Sequence, residues 1–272
     1  MSVEAAARAS EATTAPLVIR EDRDGVARLT LNRPAQRNAL SMAMLEAMAA
    51  EIARLAEDRS VKAVIIAGNG PGFCGGHDLK EMRANPGRQA YEALFGLCAE
   101  VMMGLTRLPQ PVIARVHGIA TAAGCQLVAT CDLAIAEKGA RFAVNGINIG
   151  LFCSTPMVAL TRAVGRKAAM EMLVTGDLID AETAARYGLI NRVVEASELD
   201  ATVDALAAKI VAKAPKAVAI GKGAFYRQAE LDLSAAYNYA GEAMVRNMLT
   251  EDTLNGMDAF IAKQPPPAWK GR

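Results

Sequence analysis

The chain has 272 residues, 52% of them hydrophobic, 4% aromatic and 22% charged. So much apolar side chain excludes disorder over most of the length and calls for an aliphatic core of Ala, Leu, Ile, Val and Met. Thirty basic residues against 29 acidic ones leave a net charge of +1, which, with so few aromatics, excludes a binder of nucleic-acid backbone or stacked bases.

Residues 1–15 read as a short mobile tail. They lack the apolar region of a signal peptide, and Glu4 and Glu11 run against a transit peptide. Val26–Leu31 alternates in polarity after the turn signal Asp24-Gly25 and predicts a strand. Ser41 opens a helix whose Leu45, Met48, Ile52 and Leu55 share one face. The apolar run Val61–Ala67 predicts a strand buried on both faces. A helix over Gly87–Leu108 carries the stripe Leu94, Cys98, Val101, Leu105 and Leu108, and Pro109 and Pro111 stop it. A strand over Val112–Val116, a short helix from about Ala122 and a strand over Leu133–Ala136 follow. Strands alternating with helices imply parallel pairing and an α/β core. From about residue 154 the pattern is almost wholly helical, with three or four helices between Asp200 and Ala262 broken near Pro215 and Asp232. Pro265-Pro266-Pro267 reads as an extended end.

No run reaches the ~18 apolar residues of a membrane-spanning helix. The five cysteines form no C-x-x-C pair, and with only two histidines they offer no zinc spacing. They read as buried, reduced thiols of a cytoplasmic protein.

Two glycine-rich turns carry the chemistry. Gly68-Asn-Gly-Pro-Gly-Phe-Cys-Gly-Gly-His77-Asp78 follows a buried strand, and Asp78 is placed to cap a helix. Gly118-Ile-Ala-Thr-Ala-Ala123-Gly124-Cys125-Gln126 follows the next strand and opens a short apolar helix. Small residues there let a ligand reach the main chain, and amides of a first helical turn are unpaired. Two such turns on neighbouring parallel strands would aim two N–H groups at one oxygen and stabilise an enolate or tetrahedral anion. The plain alternative at each turn is a strand–loop–helix connection. Neither turn has the spacing of a P-loop or of a dinucleotide fingerprint.

On these segments the sequence resembles the crotonase, or enoyl-CoA hydratase/isomerase, superfamily from about residue 17 to 269. The similarity is carried by LNRPAQRNAL (31–40), VKAVIIAGNGPGFCGGHDLKEM (61–82), PVIARVHGIATAAGCQLVATCDLAIA (111–136), LTRAVGRKAAMEMLVTGDLIDAETAARYGLINRVV (160–194) and GMDAFIAKQPPPAW (256–269). The resemblance implies an α/β fold, a spiral of ββα units over residues 16–200, with a C-terminal helical trimerisation lobe over 201–272. It implies an acyl-CoA thioester substrate, a place in fatty acid metabolism, trimers or dimers of trimers, and neither metal nor organic cofactor. Nucleic acid and membrane are not expected partners. The oxyanion-hole amides would be those of His77 and Ala123. Ala35, Gln36 and Arg37, with the stretch His77, Asp78, Leu79 and Lys80, would lie along CoA, and Phe260 and Lys263 would reach a neighbouring subunit's CoA.

The sequence departs from the hydratase pattern at two positions. Gln126 and Gly146 stand where hydratases of the superfamily carry glutamates that handle water and the α-proton. General acid–base groups are each worth about 10²–10⁴ in rate. Between Arg115 and Leu160 the only carboxylates are Asp132 and Glu137, expected in surface or capping roles. The chain is most similar to a branch of hydratase-domain-containing proteins sharing GHDLKE, AAGCQL and GLFCSTP. Methylmalonyl-CoA decarboxylases of the superfamily also carry a G-H-D turn without the glutamates, but place a Tyr near Cys153. Three readings follow: an enzyme classed as an enoyl-CoA hydratase, a decarboxylase-type enzyme, and a non-catalytic acyl-CoA-binding protein. Further polar candidates at the acyl end are Gln126, Asn145, Asn148, Cys153 and Ser154, each of which could equally serve packing. His117 reads as structural.

Overall fold

The computed structural model of the protein describes residues 15–272, so the tail expected over 1–15 lies outside them except for its last residue. Nine strands and eleven α-helices are present among the described residues. A six-stranded sheet is built from β1 (Val18–Arg23), β2 (Val26–Leu31), β3 (Ala63–Gly68), β4 (Val112–Val116), β6 (Leu133–Glu137) and β9 (Arg192–Val194), in the order β1-β2-β3-β4-β6-β9. The β1–β2 pair is antiparallel, and every later pair is parallel. A second sheet has the order β5 (Ile119–Thr121), β7 (Arg141–Ala143), β8 (Ile179–Asp180).

The two sheets are wound from one repeated path. Strand β4 hands the chain to β5 and then to α4 (Ala123–Thr130), and β6 hands it to β7 and then, through a 3-10 turn, to α5 (Ser154–Ala163). Earlier turns do the same with single bridges: Leu40 pairs with His77, and Cys74 pairs with Ala120. After β2 the path runs through Leu40 to α1 (Met42–Glu57), and after β3 through residues 74–77 to α2 (Leu79–Ala84) and α3 (Arg88–Arg107). This is the spiral of ββα units expected for the superfamily.

Side-chain pattern explains the layers. Along β3, Val64 and Ile66 enter the main core while Ala63 and Ile65 enter a second cluster with Leu199, Val203 and Ala207. The latter three belong to α8 (Leu199–Val211), so β3 is covered on both faces and reads as an unbroken apolar run. Ser41 caps α1, its Oγ accepting from the Met44 amide at 3.2 Å. Three more C-terminal helices follow: α9 (Pro215–Gln228), α10 (Leu233–Met248) and α11 (Glu251–Ile261).

The structure departs from the sequence reading in three places. β1 was not anticipated, and neither were the short strands of the second sheet. The region after 154 is interrupted by β8 and β9. Asp132 is not a surface group: it accepts from Lys222 Nζ at 2.7 Å, from the Val112 amide at 2.6 Å and from Tyr226 OH at 2.7 Å. Lys222 also donates to the carbonyls of Leu105 and Gln110, both at 2.9 Å, so the pair bolts α9 to the core. Glu137 does act as a cap, accepting from the Gly118 amide at 2.9 Å.

Candidate functional site

The centre of the site is the place where three chain passes touch. Leu40 N donates to Gly76 O (2.8 Å), Cys74 N to Ile119 O (3.1 Å), Thr121 N to Cys74 O (3.0 Å) and Ala122 N to Ala143 O (2.8 Å). These bonds consume the neighbouring amides and leave those of His77 and Ala123 without a backbone acceptor among the described residues. Ala123 is the first residue of α4, whose early N–H groups have no intrahelical acceptor.

Close approach sets the turn before His77 against Ala122 and Ala123. A Cβ added to Gly76, at φ +93°, would sit 2.9 Å from Ala122 Cβ and 3.3 Å from Ala123 N. A Cβ added to Gly124 would sit 2.1 Å from the Cys74 carbonyl oxygen. Glycine is therefore required at both positions. Ala122 itself adopts φ +49°, ψ −117°, a conformation that costs an L-residue about 1–3 kcal/mol. Bonding of its N–H to Ala143 O holds this strained turn, which leaves the next amide free.

These amides border a cavity of about 330 Å³ lined by Gly75, His77, Ala123, Asn145 and Cys153 among others, with Leu79, Met82, Phe95, Leu151 and Phe152 as its apolar wall. Among the described residues, no Asp, Glu, Lys or Arg lines it. Asn145, Cys153 and Ser154 line this cavity, and Gln126 does not. Its side chain is 5% exposed, its Oε1 has no partner, and it lines a separate cavity of about 600 Å³ between α3, α4, α5 and α9. Four residues into α4, Gln126 falls on the helix face turned toward α3 and α5. Asn148 faces away and donates to Gly176 O at 3.4 Å.

Gly146 is filled by main chain. A Cβ there would lie 2.3 Å from Leu151 O and 2.9 Å from Cys153 Sγ, and the loop is closed by Leu151 N→Gly146 O (3.0 Å) and Gly146 N→Cys153 Sγ (3.3 Å). Burial raises the Cys153 thiol above its ordinary range, opposed by that amide. The other four cysteines are also buried and free. The His77 ring is held by the Leu40 carbonyl at 3.3 Å from Nδ1 and by an edge contact with Phe95. Burial pushes its titration below the ordinary imidazole value.

Beside the glycine-rich turn, where Gly75 N donates to Arg37 O at 2.8 Å, Pro34–Gln36 forms a 3-10 turn and Ala35, Gln36 and Arg37 are exposed. Asn38 was not picked out by sequence. It is fully buried, and its Nδ2 donates to the carbonyls of Asn69 (2.9 Å), Gly72 (2.9 Å) and Phe73 (3.1 Å) while its Oδ1 accepts from Arg33 N (2.9 Å). One side chain thus fixes the first loop against the glycine-rich turn. Asp78 caps α2 through the amides of Lys80 and Glu81, and pairs with Arg33 at 2.7 Å, which holds its carboxyl below the usual range. Leu79 and Lys80 are exposed beside it. Phe260 and Lys263 lie elsewhere: Phe260, 84% exposed, borders a groove between α11 and Trp269, and Lys263 follows it at φ +55°. Within one chain they do not meet the His77 cavity. His117 is structural, its Nε2 2.8 Å from Gly70 O.

Comparison with known proteins agrees with the fold. A family model described as enoyl-CoA hydratase/isomerase matches residues 21–272. The mitochondrial enoyl-CoA hydratase domain-containing protein 3 of Rattus norvegicus is 46% identical over 89% of this chain and 81% of its own. The short-chain-enoyl-CoA hydratase of Clostridium acetobutylicum is 38% identical over 94% and 98%. A crystal structure of an enoyl-CoA hydratase from Mycobacterium smegmatis superposes with a TM-score of 0.91 at 58% identity, covering 93% of this chain and 98% of the other. The cytoplasmic expectation is corrected here: the rat, mouse, frog and human relatives at 44–46% identity are named mitochondrial proteins. With nearly its whole length matched, the chain belongs to the enoyl-CoA hydratase/isomerase family.

Proposed function

We propose that the protein binds an acyl-CoA thioester and holds the thioester oxygen, as it becomes an enolate, between the amides of His77 and Ala123. The observation that carries this reading is a pair of amides, unpaired among the described residues, at a cavity that none of the described carboxylates lines. Such donors are preorganised toward developing charge, and each contributes about 3–4 kcal/mol where removal has been measured. Ala35, Gln36, Arg37 and the stretch His77–Lys80 serve as the CoA contacts. Phe260 and Lys263 serve a neighbour's CoA in a trimer or dimer of trimers. Exposed Phe225, Tyr237, Leu249 and Ile261 on the C-terminal helices support that self-association. CoA enters as part of the substrate, and the chemistry calls on no metal or organic cofactor.

Hydration of an enoyl-CoA needs groups that handle water and the α-proton, and among the described residues no carboxylate lines the cavity to do so. That same wall favours a second reading, loss of CO₂ from a carboxylated acyl-CoA, in which the breaking C–C bond supplies the enolate electrons. Turnover of crotonyl-CoA and release of CO₂ from methylmalonyl-CoA separate the two. Ala123→Pro is the control, since proline suits a first helical turn and deletes one amide. Loss of whichever activity is present by 10²-fold or more in that variant is expected; equal rates in both proteins would overturn the oxyanion hole. Tight calorimetric binding of CoA esters with no turnover would indicate a binding protein.

A further inference from the structure

The cavity beside His77 and Ala123 is bordered by large apolar side chains that the fold leaves uncovered. Leu79 opens α2, Ile149 ends the 3-10 turn Asn145–Ile149, and Leu151 and Phe152 follow it. All four line the cavity, and they are between 36% (Phe152) and 62% (Ile149) exposed. Met82 and Phe95 line it too, half-buried against the main core. Two segments distant in sequence thus converge their bare apolar surface on one concavity. Apolar side chains scattered singly over a surface need no explanation, but a patch gathered round a cavity marks a place for an apolar ligand. His77 and Ala123, whose amides are free, line the same cavity, so a thioester held there directs its acyl chain into this patch.

We infer that this patch seats the acyl chain, and that the chain it takes is apolar and of medium length, about eight to ten carbons by the volume argument that follows. This rests on the acyl-CoA reading above and names its substrate class. An apolar cavity of about 150 Å³ takes benzene, with its six carbons, so the cavity of about 330 Å³ takes roughly a dozen non-hydrogen atoms. The thioester oxygen and sulfur claim two of these, which leaves about ten for carbon. Leu79, Ile149, Leu151 and Phe152 form the outer wall, so each methylene laid against them removes apolar surface from water on both partners. Carbons past the end of the wall gain nothing. The character of the chain follows from the lining: a carboxylate at its far end would leave water with no Lys or Arg among the described lining residues to meet it.

Calorimetric titration with saturated acyl-CoAs from butyryl- to tetradecanoyl-CoA measures the wall. Kd is expected to fall about fourfold per CH₂ from butyryl- to octanoyl-CoA and to stay within about twofold beyond decanoyl-CoA. Adipoyl-CoA, which is hexanoyl-CoA with a carboxylate at its far end, should bind at least about tenfold more weakly than hexanoyl-CoA. Ile149→Ala and Phe152→Ala should each weaken octanoyl-CoA about fivefold and leave butyryl-CoA within about twofold. Both are made because Phe152 sits in the loop closed by Leu151 N→Gly146 O, whereas Ile149 is the more exposed of the two and its truncation spares that loop. Met170→Ala, exposed on α6 (Arg166–Thr175) and away from the cavity, should bind every ester as wild type does. Flat affinity across the series, a gain that continues to tetradecanoyl-CoA, or adipoyl-CoA bound as tightly as hexanoyl-CoA would overturn the inference. So would unchanged octanoyl-CoA binding in both wall variants, which would leave the patch to a second copy of the chain. A wild-type protein that binds no ester, butyryl-CoA included, would instead sink the acyl-CoA reading, and the inference with it.

Discussion

Placing a glutamate at position 146 tests the site most severely. The difficulty begins at the first side-chain atom: any Cβ there falls 2.3 Å from the Leu151 carbonyl oxygen, more than 1 Å inside ordinary contact, and 2.9 Å from Cys153 Sγ. The loop 146–153 must open, and it then loses Leu151 N→Gly146 O and Gly146 N→Cys153 Sγ. Overpacking of this kind costs about 1–3 kcal/mol, and two lost hydrogen bonds add about 1 kcal/mol each. The sum, roughly 3–5 kcal/mol, lowers Tm by about 6–10 °C at about 2 °C per kcal/mol for a chain of this size. Gly146→Ala should cost nearly as much as Gly146→Glu, because the clash lies at Cβ. Calorimetric melts of both variants check the magnitude, and loss of the conjugated enoyl absorbance of crotonyl-CoA checks activity in the double variant Gln126→Glu, Gly146→Glu. The expected result is a destabilised protein with no gain in hydration. A double variant that melts near the wild-type temperature and hydrates crotonyl-CoA would refute the reasoning.

Two further outcomes are expected. Asp132→Asn leaves the Lys222 ammonium buried without its counter-charge and should cost about 3–5 kcal/mol in urea titrations, while adding Lys222→Met should recover part of the loss. The Asp200 carboxyl is held down to about 2, first by Arg115 and then by Arg28. A depressed carboxylate stabilises the fold above its unfolded value of about 3.9. The stability difference between wild type and Asp200→Asn should therefore be full above about pH 4 and fade as pH falls toward 2, as read from melts across that interval.

How far the sequence could be read depends on where the information sits. Periodicity marked β2, α1, α3, β4 and the C-terminal helices, because each buries one regular face. The short β5, β7 and β8 escaped, since two or three residues cannot display a period and their pairing is decided by the winding of the spiral. The motifs pointed to the amides of His77 and Ala123, and polarity alone to Asn145 and Cys153; all four residues line one cavity. They could not tell that Gln126 turns toward a different one, which depends on how α4 sits against α3 and α5. Asp132 looked like an ordinary strand-end acid because its partner Lys222 lies 90 residues away. Asn38 carries a faint signal, a polar residue between apolar Leu31 and Leu40 beside a proline turn. Its three carbonyl partners come from a loop more than thirty residues downstream.

The turn at Ala122 and the glycines packed around it have a practical consequence for mutagenesis. Truncation of side chains would pass silently over the two amides of this site. At Ala123 there is nothing to remove, and at His77 truncation leaves the amide untouched. The informative positions are those with no side chain to delete, Gly76, Gly124 and Gly146, where adding a single methyl group moves the main chain. A survey that only subtracts atoms leaves both amides in place, whereas one that adds a methyl or a proline ring displaces or deletes them.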